Sequence, residues 1–186
     1  MLLTNHLPSC RGADAVSVGT MNGTLTTELP SRESFAPPPD SYDLPMTVRS
    51  VSREDAEQLV PLFTQLGYPT DATEISRRLR RNATSEYAAW VFDAGSGSGV
   101  VGFAAGHLLL PYENDAAAAQ LMILVVDERH RATGAGTALV NQFESWATAR
   151  GARRAVVSSG LDRVATHEFY VRRGYKHTGA RFGRQL

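Results

Sequence analysis

The chain is poor in cysteine, in long apolar runs and in net charge, and each shortage narrows what it can be. Cys10 is its single cysteine. One thiol cannot build an intrachain disulfide framework or a cysteine-ligated zinc site, so a reducing, cytoplasmic compartment and no metal are expected. Cys10 lies in a stretch without hydrophobic period and reads as a bystander rather than a nucleophile. No apolar run approaches the roughly 18 residues of a membrane span, so no membrane partner is expected. The opening MLLTNHLPSC lacks the basic and apolar regions of a signal peptide. Lys+Arg and Asp+Glu are 19 each, which disfavours a nucleic-acid partner gripped by bulk charge.

What is present divides into two unequal parts. Residues 1–45 hold Pro8, Pro30, Pro37, Pro38, Pro39 and Pro45 among much Ser, Thr and Gly, without helical or strand period. They read as a disordered tail or a non-native extension ahead of Met46. From Met46 the pattern is regular and long enough for one domain with a sizeable core. MTVRSV reads as a strand. Ser52 is expected to cap a helix carrying Ala56, Leu59, Val60, Phe63 and Leu66 on one face, kinked at Pro61. A second helix is expected from Asp71 to about Asn82. YAAWVFD and VVGFAAGHLLL read as strands joined by AGSGSG, and AQLMILVV as a strand buried on both faces. A helix with Leu139, Val140, Phe143, Trp146 and Ala147 on one side ends at Gly151. RRAVVSS, ATHEFYVRR and YKHTGARF follow as strand, helix and last strand. The implied class is α/β: a mixed, mostly antiparallel sheet with helices on both faces.

The run from Arg131 to Gly136 carries the chemistry. It joins an apolar strand to a helix, and its glycines let backbone N–H groups face outward at a helix N-terminus, a phosphate-type anion site. Arg129 and Arg131 can add positive charge. A plain strand-to-helix turn packed through its glycines fits the same residues. A Walker A loop does not fit, because Gly136 is followed by Thr137 and Ala138. The G-x-G-x-x-G at Gly97, Gly99 and Gly102 leads into a strand rather than a helix, and reads as a hairpin turn.

Two motifs together resemble the Gcn5-related N-acetyltransferase (GNAT) superfamily. One is Arg131-Ala-Thr-Gly134-Ala-Gly136. The other is Phe169-Tyr170-Val-Arg-Arg-Gly174-Tyr175, with a strand between them. The element order from Met46 onward is similar to the whole family fold. The resemblance implies acetyl-CoA as co-substrate. Its pyrophosphate would lie on the backbone of Arg131, Ala132, Thr133, Gly134, Ala135, Gly136 and Thr137. Its pantetheine arm would pair with the main chain of Leu124, Val125 and Val126. Tyr170 is similar to the family's general acid, which protonates the departing thiolate; a core tyrosine packed after Phe169 is the plainer alternative.

The sequence also departs from the family pattern. Where many relatives place an acidic residue in the central strand, this chain has Gln120 and Met122. Candidates for a substitute base are His107 on the preceding strand, and Glu113 or Asp115 in the next loop; an ordinary strand or loop residue is the plainer reading of each. The frequent asparagine ahead of the last helix is matched by Arg163, which can serve phosphate groups. Leu66 to Thr70, with Tyr68, would wall the acceptor pocket. The arginines of Arg77 to Arg81 read as a solvated helix face. The expected activity is direct acetyl transfer in a ternary complex to a primary amine of a small molecule or protein, compatible with a homodimer. An acyl-CoA-binding module without catalysis is the alternative.

Overall fold

The computed structural model describes residues 46–186, apart from Ser96 and Asn114. The expectations for residues 1–45, Cys10 included, lie outside the described residues. The elements are β1 (Thr47–Ser50), α1 (Ala56–Leu66), α2 (Ala72–Arg81), β2 (Tyr87–Asp93), β3 (Val100–Leu109), β4 (Ala118–Val126), α3 (Ala135–Ala149), β5 (Arg154–Val157) and α4 (Val164–Arg172). The strands form one sheet in the order β1-β2-β3-β4-β5. The first four are mutually antiparallel and β5 runs parallel to β4.

Two apolar layers hold the helices to the sheet. On one face Leu139, Val140, Phe143 and Ala147 of α3, with Tyr170 of α4, pack on Trp90, Phe92, Ala104 and Leu121. On the other, Leu59 and Leu62 of α1 and Ile75 of α2 pack on Val91, Phe103 and Val125. Gly106 permits the first contact: a Cβ there would stand 2.7 Å from the Phe143 ring. The β2–β3 connection is a hairpin, closed by Ala94 N–H donating to the Gly99 carbonyl, as expected for the glycine-rich AGSGSG.

Three expectations are corrected. Ser52 does not cap α1. The helix starts at Ala56, and the Ser52 amide donates instead to the Asp55 carboxylate at 2.7 Å. That carboxylate also takes two N–H groups from Arg49 at 2.7 and 2.9 Å, so it is fully engaged away from the helix amides. α1 then runs unbroken through Pro61.

β4 is not buried on both faces throughout. Ala105 pairs with Ile123 and Gly106 with Leu121, which leaves Met122 as the extra residue of a β-bulge. Met122 is 53% exposed. The bulge inverts the strand's alternation. Ala119 and Leu121 face the α3 layer before it, Leu124 and Val126 after it.

The last strand is absent, for residues 175–186 form none. A strand there would offer Tyr175, His177 and Gly179 on one face. Only Tyr175 brings apolar surface, and it is committed to Tyr170 and Glu144.

Candidate active site

β4 and β5 separate early. Their ladder ends at Leu121 with Val157, while β4 continues to Val126 and stays paired with β3. The β5-facing edge of Met122–Val126 therefore has no strand beside it. Leu124, Val125 and Val126 all lie on this open edge. Their side chains are spent on the two cores, which leaves only their main chain on that edge.

The loop that follows is built by Asp127. Its buried carboxylate takes the Arg129 amide at 2.9 Å and the Arg129 guanidinium at 3.0 and 2.9 Å. These contacts hold its pKa well below the usual carboxylate range, led by the Arg129 side chain and amide, despite burial. Arg129 is thus neutralised by Asp127 rather than free to serve an anion, and the expected charge falls to Arg131 alone. Gln65 of α1 steadies the same loop by accepting the Glu128 amide at 3.0 Å.

α3 begins at Ala135 behind Gly134, whose φ of +95° is left-handed. Ala132 also has a positive φ, +64°, a conformation that costs a non-glycine residue about 1–2 kcal/mol. Ala138 N–H is the first to enter the helix ladder, donating to the Gly134 carbonyl at 2.9 Å. Among the described residues, the six amides from Ala132 to Thr137 make no hydrogen bond. Those of Ala132 to Gly134 lie on an exposed loop and those of Ala135 to Thr137 in the first turn of a 15-residue helix, the positive end where a polyanion can take such amides. No Cβ contact arises at Gly134, so backbone approach from outside is open.

Tyr170 sits on α4, on the α3 side of the sheet, 6% exposed. Burial pushes its phenol up to about 12, with Arg173 pulling weakly downward. Its hydroxyl has no hydrogen-bond partner among the described residues. It borders a groove of about 900 Å³ along the free side of β5. The lining of that groove includes neither Leu124–Val126 nor Ala132–Thr137, so it is distinct from the open edge of β4.

Arg163 precedes α4 and sends one N–H to the Leu66 carbonyl at the end of α1, 3.3 Å away. It therefore ties the start of α4 to the end of α1, beside the Leu66–Thr70 segment. Tyr68 of that segment is exposed. His107 lies between Tyr87 and Gln120 in the sheet. Glu113 and Asp115 are exposed in the β3–β4 loop. In α2, Arg77 and Arg78 pair with Glu74, consistent with a solvated face. No group of three or more His, Cys, Asp or Glu side chains is placed to hold a metal among the described residues. None of their helices is long and apolar enough to cross a membrane.

Sequence reasoning named the Ala132 backbone as a contact but not its left-handed conformation, which alanine does not advertise. Glu144, Arg173 and Tyr175 form a polar cluster that becomes visible only when α3 and α4 are packed.

The chain is similar in fold to several solved acetyltransferases. One is a GNAT family acetyltransferase from Staphylococcus aureus, with 22% identity, a TM-score of 0.65, 77% of this chain and 100% of that one covered. Another is glucosamine-6-phosphate N-acetyltransferase from Arabidopsis thaliana, with 15% identity, a TM-score of 0.66, and coverage of 76% and 98%. A third is an aminoglycoside acetyltransferase from an uncultured soil metagenomic sample, with 17% identity, a TM-score of 0.63, and coverage of 78% and 99%. No curated protein matches the sequence significantly. The acetyltransferase (GNAT) family model matches residues 52–175, most of the chain and both motifs, and the protein belongs to that family.

Proposed function

We propose that the domain transfers an acetyl group from acetyl-CoA to a primary amine by direct attack in a ternary complex, in the cytoplasm. The carrying observation is the run of six unengaged amides from Ala132 to Thr137, adjoining the unpaired edge of β4. These features suit a ligand with a diphosphate at one end and an amide-bearing arm at the other. Acetyl-CoA would supply the activated acyl group. The loop amides, with Arg131, would hold its diphosphate. Main-chain groups of Leu124–Val126 would hold its arm, and a β4 amide near the bulge would polarise the thioester oxygen. Arg163, which gives one N–H to the Leu66 carbonyl, would offer its remaining donors to the phosphate groups. Tyr170 would give its proton to the departing thiolate, and its raised pKa keeps that proton in place at working pH.

The acceptor class is left at a primary amine of a small molecule or protein. Gln120 and Met122 favour one second reading, an acyl-CoA-binding module without catalysis, because neither can accept the amine's proton. A thiol-release assay with acetyl-CoA across diamines, amino sugars, amino acids and a lysine peptide decides. Amine-dependent release supports transfer. Binding of CoA without release by any amine moves the protein to the second reading.

A further inference from the structure

We infer that His107 is the proton acceptor for the incoming amine, a role that rests on the acetyl-transfer reading. His107 shares a sheet face with Phe103 and Ala105, four and two residues earlier, which pack in the α1–α2 layer. At His107 that layer has ended. Its neighbours across the strands are Tyr87 and Gln120, and all three are half-buried. The imidazole stacks on the Tyr87 ring, centroids 4.2 Å apart and planes 25° from parallel, which fixes its orientation. Neither ring nitrogen has a hydrogen-bond partner among the described residues. The ring is thus positioned by stacking, with both nitrogens unspent.

Its place in the ladder ties it to the open edge. The pair after His107 with Gln120 is Gly106 with Leu121, and then comes the Met122 bulge. Leu121 is also the last residue of β4 paired with β5. His107 therefore stands on β3, one register pair before the last β4–β5 pair, on the α1–α2 face, while Tyr170 belongs to the layer on the opposite face. The two groups then act on different atoms, His107 on the incoming amine and Tyr170 on the departing thiolate. Of the other candidates, Gln120 and Met122 cannot take a proton, and Glu113 and Asp115 stand exposed on a loop.

The proton balance closes. One ammonium proton passes to a free imidazole nitrogen. The released lone pair forms the C–N bond to the acyl carbon as the C–S bond breaks. Tyr170 protonates the thiolate, and the second proton lost by nitrogen returns to the Tyr170 oxygen. The imidazolium gives its proton to solvent, so an ammonium and a thioester become an amide, a thiol and one released proton.

The test uses the full chain with His107→Ala and His107→Gln, and 1,4-diaminobutane, glucosamine and an N-acetylated lysine amide as acceptors. Both variants should keep the acetyl-CoA-induced rise in melting temperature and lose roughly 10²–10⁴ in kcat at pH 7. The deficit should shrink as pH rises, because the amine then arrives already deprotonated. A merely structural role gives no such recovery. Three results overturn the assignment: kcat within a few-fold of wild type in either variant, a deficit that does not change with pH, or an equal deficit moved to Glu113→Gln or Asp115→Asn. Failure of the wild-type chain to acetylate any amine overturns the transfer reading itself, and this role with it.

Discussion

Arg173 and Glu144 meet at 3.0 Å and join the end of α4 to the middle of α3. The same carboxylate accepts the Tyr175 hydroxyl at 3.0 Å, and Asn141 takes a further Arg173 N–H. Tyr175 lies edge-on to Tyr170 at 5.4 Å between centroids, and the Arg173 guanidinium sits 5.8 Å from the Phe169 ring centre. One α3 acid thereby fixes the segment that carries the proposed proton donor. Glu144→Ala should cost about 1–3 kcal/mol, since it strands a mostly buried guanidinium and a phenol. Thermal unfolding measures that loss, and kcat should fall with it as Tyr170 loses a supporting wall. Glu144→Gln, still an acceptor, should recover part of both.

Tyr170→Phe removes a proton donor and keeps the ring. Acetyl-CoA binding should be nearly unchanged while kcat falls by roughly 10²–10⁴. If Tyr170 only packs, the change costs about 1 kcal/mol of stability at most and spares turnover. The raised pKa adds a second mark. A buried phenol near 12 stays protonated across pH 8–10, so wild-type kcat should show no decline there from this group. A fall centred near pH 10 would contradict that assignment.

The two loop glycines should behave differently as alanines. Gly134 has φ of +95°, so Gly134→Ala strains the backbone and should lower stability by about 1 kcal/mol. Gly136 is helical, and a Cβ there would meet Val126 and Phe169 at 3.7 and 4.0 Å, ordinary contacts. Gly136→Ala should therefore fold as well as wild type, or better by a fraction of 1 kcal/mol. It should leave acetyl-CoA binding near wild type, because the new methyl faces Val126 and Phe169 rather than the amides. The melting shift reads this directly: acetyl-CoA at 100 times its dissociation constant stabilises by about 2.7 kcal/mol. Gly134→Asp with Gly136→Asp should abolish the shift. Normal binding by that double variant would remove the loop from the site.

Acid should find two weak points. Burial pushes the Asp55 carboxyl up, but the Arg49 and Ser52 N–H groups outweigh it and the net shift is down. Asp127 is also held down, by Arg129. Both carboxyls are more acidic folded than unfolded, so their stabilisation is full above about pH 4 and is lost as pH falls below it. The melting temperature should be steady from pH 7 to 5 and drop below about 4. Asp55→Asn with Asp127→Asn should lower it at pH 7 and flatten the acid drop. An unchanged acid profile would show that other groups set it.

A chain starting at Met46 is expected to fold and to bind acetyl-CoA like the full chain. Comparison of their melting temperatures, with and without the ligand, tests whether residues 1–45 contribute.

Strands and helices with a strong period were legible at once. YAAWVFD is β2 to the residue, and Asp71 caps α2 by accepting the Glu74 amide at 2.8 Å. Legibility ended where tertiary structure overrides pattern. AQLMILVV reads as evenly apolar, yet one added residue at Met122 exchanges the faces of everything after it, and no residue type marks a bulge. YKHTGARF shows strand-like alternation of polar and small residues, but it has too little apolar surface to repay the ordering of a sixth strand. At the site, the glycine run and Tyr170 were readable because backbone access and a phenol depend on residue type. The Asp127–Arg129 pairing was not, since neutralising a loop arginine depends on how the 128–130 turn closes.

The amides of Ala132–Thr137 make no hydrogen bond among the described residues, and Ala132 is left-handed. On the proposed reading the loop's amides are laid out for an anion and select by negative charge more than by shape. Small oxyanions are its natural competitors. Sulfate or phosphate in a buffer should act as a competitive inhibitor toward the acyl donor, raising its apparent KM while leaving kcat and the amine's KM alone. The choice of buffer anion therefore bears on every affinity measured for this protein.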